Sequence, residues 1–211
     1  MASGTLLNRL MAVRHASEAL IEPLDTEDLN LQGMADASPP KWHLAHTTWF
    51  FETFVLRPHQ PSYEPADARW SYLFNSYYEA VGPRQPRPQR GLLSRPPMRE
   101  VSQWRTRVNE ALERLLESSD DAPWLHLVEL GLQHEQQHQE LMLMDLLDGF
   151  SRQPLEPAYR ADWQEPASNV RDGEHPSWLA CAGGLVEVGH GGSSFHFDNE
   201  TPRHRVWLEP F

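Results

Sequence analysis

The chain has 211 residues, 39% of them hydrophobic, and a formal net charge of −12. That is enough apolar material for one sizeable domain or one and a half. The acidity disfavours nucleic-acid phosphate as a partner, because such binding is driven by clustered Lys and Arg. A single cysteine, Cys181, excludes an internal disulfide framework and a cysteine-rich zinc site, and fits a reducing compartment.

Leu6, Leu10, Val13 and Leu20 recur at helical spacing with Arg9, Arg14 and Glu18 between them, which predicts an amphipathic helix from Leu6 to about Glu22. This start lacks the apolar core of a signal peptide, and no membrane-length apolar run follows, so a cytoplasmic location is expected. Ser38-Pro-Pro reads as a helix start with a capping serine, opening a second helix from Pro40 to Leu56. Its stripe is Trp42, His46, Trp49 and Thr53, flanked by His43, Phe50 and Phe54, so both histidines can point inward.

Prolines and aromatics dominate residues 57 to 93, with a short helix expected around Ala68–Tyr78 and then the basic turn Arg84-Gln-Pro-Arg87-Pro-Gln-Arg90. A connection this long inside a compact domain is more often functional than idle. A third helix is predicted over Met98–Ser118, with Val101, Trp104, Val108, Leu112 and Leu115 on its apolar side. A fourth opens after Asp120 or Asp121 and ends at Asp148-Gly149, the glycine suiting a helix terminus. Four amphipathic helices with no strand signal between them predict a mainly α fold, an antiparallel four-helix bundle over residues 1–150. Residues 151–177 read as a Pro-rich linker, and residues 178–211, with glycine pairs and alternation at Leu185–Val188 and Arg205–Leu208, as the start of a β-rich domain.

His134 and His138 lie four residues apart in the fourth helix, hence on one face, able to reach one point. Leu127 and Leu141 flank His134 at intervals of seven, and Leu130 and Met144 flank Gln137 likewise, so both polar residues fall on core stripes. Buried polar groups cost about 1–3 kcal/mol each unless satisfied. Metal ligation by His46, His134 and His138 answers that cost better than a solvated polar face does. Three histidines without a cysteine or carboxylate suit zinc, iron or copper and leave positions open for catalysis. His134-Glu135-Gln-Gln-His138 also has the form of the zinc-peptidase string, in which Glu135 would be the general base. The extended metzincin version needs a glycine and a histidine where this chain has Leu141 and Met144.

Four stretches taken together add specificity: Leu44-Ala-His46-Thr-Thr-Trp-Phe-Phe-Glu52, Tyr72-Leu-Phe-Asn-Ser-Tyr-Tyr78, Gly91-Leu-Leu-Ser-Arg-Pro96 and His134-Glu-Gln-Gln-His-Gln-Glu-Leu141. Together they resemble the N-terminal DinB-like domain of the ergothioneine-biosynthesis sulfoxide synthases. Phe197-Asp-Asn-Glu-Thr-Pro-Arg-His-Arg-Val206 resembles the opening of their second domain, of the formylglycine-generating-enzyme (sulfatase-modifying factor) type.

The resemblance implies a non-haem Fe(II) enzyme that uses O₂ to join the sulfur of cysteine or γ-glutamylcysteine to the imidazole of hercynine, the Nα-trimethylated betaine of histidine, giving a sulfoxide. By motif matching, His46, His134 and His138 would hold the iron, and His43 would pack beside them. Gln137 would contact the substrate imidazole. The turn bearing Arg84, Arg87 and Arg90 would hold the thiol's carboxylates, guanidinium forks being suited to bidentate carboxylate binding. The family's catalytic tyrosine would lie beyond Phe211, so iron binding with weak or no synthase activity is expected of this polypeptide. The other readings kept open are a DinB-like metal-binding bundle acting as a thiol transferase or binding module, and the zinc peptidase.

Overall fold

The computed structural model describes residues 2–119, 121–164 and 178–211. The chain divides into two compact units, Met1–Asp162 and Trp163–Phe211. Among the described residues the fold is mainly helical, with one small two-stranded sheet.

In the first unit the helices are α1 (Ala2–Ala19), α2 (Pro40–Phe51), the single turn α3 (Arg57–His59), α4 (Trp70–Phe74), α5 (Met98–Glu117) and α6 (Leu125–Ser151). Both α1 and α2 pack against both α5 and α6. On α5 the spacing of three and four puts Val101, Trp104, Val108, Leu112 and Leu116 inside. Every residue of α2 is buried, so this helix runs through the middle of the core and its polar residues must find partners there. It passes directly into a π-helical turn, Glu52–Leu56, a distortion common at functional sites. Glu52 is buried there and accepts hydrogen bonds from Tyr63 Oη at 2.6 Å and Trp104 Nε1 at 2.8 Å.

Several local expectations change. The first helix stops at Ala19 and continues as turns. Arg14, read as lying off the apolar stripe, is fully buried. Leu10, Arg14 and Ser17 share one face at intervals of four and three, and that face meets a carboxylate inside. Ser38 does not cap α2, whose N-cap is Pro39 without a side-chain bond. Its hydroxyl and amide are engaged elsewhere. The short helix is confined to α4. Asp120 lies outside the described residues, and α6 begins at Leu125 after Trp124.

Gly149 lies within α6 and does not end it. A Cβ there would stand 2.6 Å from Leu31 Cδ2, and one on Gly33 would stand 2.9 Å from Gly149 Cα. The two glycines therefore let the segment before α2 cross the end of α6 closely. Helix α6 ends at Ser151, and Tyr159 Oη donates to Leu20 O at 2.6 Å. Of the expected linker, residues 165–177 lie outside the described residues.

In the second unit β1 (Gly184–Val188) pairs antiparallel with β2 (His204–Leu208), Val186 opposite Val206. Gly189 leaves β1 at φ +101°, a conformation L side chains avoid. Cys181 is free and exposed. No described helix is long and apolar enough to cross a membrane.

Candidate metal centre

Helices α2 and α6 face each other, and their contact brings three imidazoles together. The ligand atoms of His46, His134 and His138 all lie within 4.8 Å of one another. His46 is fully buried; His134 and His138 are half-buried. The close approach of the helices depends on Gly131, one turn before His134: a Cβ there would stand 2.6 Å from the Phe51 ring and 2.8 Å from that of Phe50.

His46 Nδ1 lies 2.5 Å from the Phe74 carbonyl. A carbonyl only accepts, so Nδ1 carries the proton and Nε2 is left with its lone pair. That Nε2 lies 3.2 Å from His134 Nε2, so a proton or a cation must stand between them. Two nitrogens each about 2.1 Å from one ion, at an angle between a right angle and tetrahedral, stand roughly 3.0–3.4 Å apart. His134 Nδ1 is buried without a hydrogen-bond partner among the described residues.

Burial is the first cause of low basicity at all three rings. It holds His134 at about 4, with the nearby His43 adding to it against the opposing charge of Glu135. His46 and His138 are pushed well below the ordinary histidine value. Neutral imidazoles are what ligation requires. The donor set therefore fits a metal ion, with the kind of metal left open by three nitrogens alone.

Trp42 stacks on His46, centroids 4.6 Å apart at an interplanar angle of 10°. His43, expected to pack beside the ligands, is buried with its Nδ1 2.8 Å from His138 Nδ1 and its Nε2 3.1 Å from Asp145 Oδ2. Asp145 has no counterpart among the residues picked out from the sequence. Its only signal is its place on α6, seven residues after His138.

Glu135 is fully buried among helices α1, α5 and α6. Arg14 Nη1 donates to its Oε2 at 2.8 Å, Ser17 Oγ to its Oε1 at 2.7 Å, and Arg105 Nη2 to Oε1 as well. Burial alone would raise its pKa, but the Arg105 and Arg14 guanidiniums outweigh burial and hold it at about 2. A carboxylate so buried and paired with two guanidiniums lacks the basicity of a general base. This removes the basis of the zinc-peptidase reading.

The DinB superfamily profile matches residues 9–142, from α1 into the second half of α6. The chain belongs to the DinB superfamily. Comparison with curated proteins finds no match.

Within this DinB domain the arginine turn folds as a 3-10 helix, Arg87–Leu92. Its three arginines differ in setting. Arg90 is buried, its guanidinium 3.4 Å above the Trp42 ring and its Nη1 donating to Ser38 Oγ at 2.8 Å, while Nε has no hydrogen-bond partner among the described residues. Burial, then the charge of Arg87, lowers its pKa to about 9, so it remains a cation at neutral pH. Its charge also reaches His43, His46 and His138. Arg87 is half-buried, donating to Tyr77 Oη and, at 3.2 Å, to Asp36 O. Arg84 is exposed, 4.0 Å from Glu79.

Gln137 does not face the core. It is exposed on α6, because its stripe leaves the interior halfway along the helix: Met144, two turns on, is 64% exposed. The DinB domain thus joins His46 and His138 to Arg90 through Trp42, and leaves Gln137 on the open side of α6.

Proposed function

We propose that this DinB domain holds Fe(II) on His46, His134 and His138 and serves an O₂-dependent sulfoxide synthase. The enzyme would join the sulfur of cysteine or γ-glutamylcysteine to hercynine in ergothioneine biosynthesis. The observation that carries the reading is the histidine cluster with a buried, incompletely satisfied arginine beside it. A three-nitrogen site supplies metal chemistry with open positions, and Arg90 supplies a cation for an acidic substrate. The antiparallel four-helix bundle is supported by the way α1 and α2 each pack on α5 and α6. The likeness of Phe197–Val206 to the second domain of the synthases supports the same reading, as does the DinB match for residues 9–142.

Bound iron would supply dioxygen activation. The reaction balances as the thiol R–SH, the imidazole C–H and O₂ giving the C–S(=O)–R sulfoxide and one water: the C–H and S–H bonds are lost, and O₂ accepts four electrons. The chain's own residues would bind and orient. His46, held by the Phe74 carbonyl, and His134, packed on Phe50 with ring centroids 5.0 Å apart, keep two nitrogens converging. Arg90, with Arg87 beside it, would take the thiol's carboxylates, and its Nε is the unused donor. Gln137, at the exposed rim, would meet the substrate imidazole as that ring enters.

The test is anaerobic Fe(II) loading of the wild type and of His134→Ala, followed by nitric oxide as an O₂ surrogate. Wild type is expected to take up iron, the variant to lose it, and the iron–nitrosyl EPR signal of wild type to shift with hercynine and with the thiol. Equal iron in both proteins would sink the site. A spectrum indifferent to hercynine, cysteine and γ-glutamylcysteine would sink the substrate assignment.

A further inference from the structure

His46 and His138 offer nitrogens to the same point, but different partners orient their rings. A backbone carbonyl fixes His46. His138 leans on another imidazole, its Nδ1 2.8 Å from His43 Nδ1, and His43 in turn contacts Asp145 Oδ2 through Nε2 at 3.1 Å. The same Oδ2 lies 2.7 Å from the Ser38 amide nitrogen, which can only donate.

Hydrogen-bond directions follow along this chain. An ionised carboxylate accepts only, so His43 Nε2 carries a proton. His43 is buried, and with that N–H committed to Asp145 the neutral ring carries its lone pair on Nδ1. The donor in the 2.8 Å contact is then His138 Nδ1–H. A neutral imidazole has one N–H, so His138 Nε2 is left bare. The opposite tautomer would set two Nδ1 lone pairs against each other at 2.8 Å and place a proton where a metal ion belongs.

We propose that Asp145 and His43 form a positioning pair that selects the His138 tautomer whose Nε2 lone pair is offered to a metal ion. Ligating histidines are commonly oriented by a carboxylate or carbonyl on the second nitrogen, and loss of such a partner typically costs 10–100-fold in metal affinity. Here the carboxylate acts at one remove. Asp145 lies seven residues after His138 on α6, and His43 of α2 is wedged between the two, so one helix carries both ligand and anchor. The proposal rests on the three-histidine site described above, and not on the identity of the metal or the substrate.

The experiment uses the 211-residue chain, metal-free and with Zn(II) titrated against a competing chelator. Long-range 1H–15N imidazole correlation spectra of the metal-free wild type are expected to show His138 protonated at Nδ1 and His43 at Nε2. Zinc dissociation constants are expected to rise about 10- to 100-fold in both His43→Phe and Asp145→Ala. The double variant should lose little more than either single one, because both break the same relay. Independent structural damage would instead multiply.

Wild-type His138 protonated at Nε2 overturns the proposal, as do wild-type zinc affinity in folded His43→Phe or multiplicative losses in the double variant. Should neither variant fold, the wild-type spectrum decides alone. Undiminished zinc binding by His138→Ala would remove the metal site itself, a result separate from failure of the relay.

Discussion

Glu135→Gln keeps the shape of the side chain and removes its charge, leaving Arg14 and Arg105 facing each other in the core. Both are buried, and each already repels the other: burial and the Arg105 charge together lower Arg14 to about 9. The folded protein holds Glu135 at about 2 against an ordinary 4.5. A depressed carboxylate contributes stability that is present above its unfolded pKa and lost as pH falls through its folded pKa, here between 4.5 and 2. The shift is worth about 3 kcal/mol, near the lower end of the roughly 3–5 kcal/mol for breaking a buried pair. The lower end is the consistent one, since Glu135 gains from two cations while the cations oppose each other. In a unit of this size that is a fall in unfolding midpoint of about 6–12 °C.

The assay is thermal unfolding by circular dichroism with chelator present, so that metal linkage does not contribute, for wild type and variant from pH 7 to 2. The difference between the two proteins is expected to be constant above pH 5 and to shrink toward zero as pH falls to 2. A variant as stable as wild type at pH 7, or a difference that does not shrink in acid, would refute the reasoning.

Further outcomes follow from the same structure. Saturating metal at about 100 times its dissociation constant should stabilise the wild type by about 2.7 kcal/mol, a rise of roughly 5–10 °C, and leave His134→Ala unmoved; differential scanning fluorimetry reads this directly. Gly131→Ala should destabilise by about 1–3 kcal/mol by urea unfolding, although alanine is the better helix former by about 1 kcal/mol, because its Cβ meets the Phe50 and Phe51 rings. Arg90→Lys should weaken binding of γ-glutamylcysteine by about 10- to 100-fold, a charged hydrogen bond contributing roughly 1.5–3 kcal/mol. Arg84→Lys, at an exposed position 4.0 Å from Glu79, should change it less than threefold; calorimetric titration compares the two.

The helices were legible because their apolar spacing is strong. Met98–Glu117 coincides with its expected range to within a residue, since a long amphipathic period leaves little freedom in placing the core face. The two inward histidines of α2 were legible for the same reason. Less could be read where a residue's role is set by what stands opposite. Arg14 looked like a surface cation, Ser38 like a cap and Gly149 like a terminator. Each is instead used by a distant segment: Glu135 on α6, Asp145 and Arg90 around the site, and Leu31 across the helix end. Gln137 was misplaced by extending a seven-residue repeat past the point where α6 leaves the core.

By itself the sequence determined a mainly α chain with His134 and His138 on one face of a helix, because both follow from periodicity along a single segment. The meeting of those residues with His46, the sequestering of Glu135 by Arg14 and Arg105, and the alignment of Asp145 and His43 behind His138 were decided only by the tertiary structure. Hydrogen bonds and ion pairs act over about 3 Å, and the partners come from segments about 30 to 120 residues apart, so no spacing along the chain encodes them.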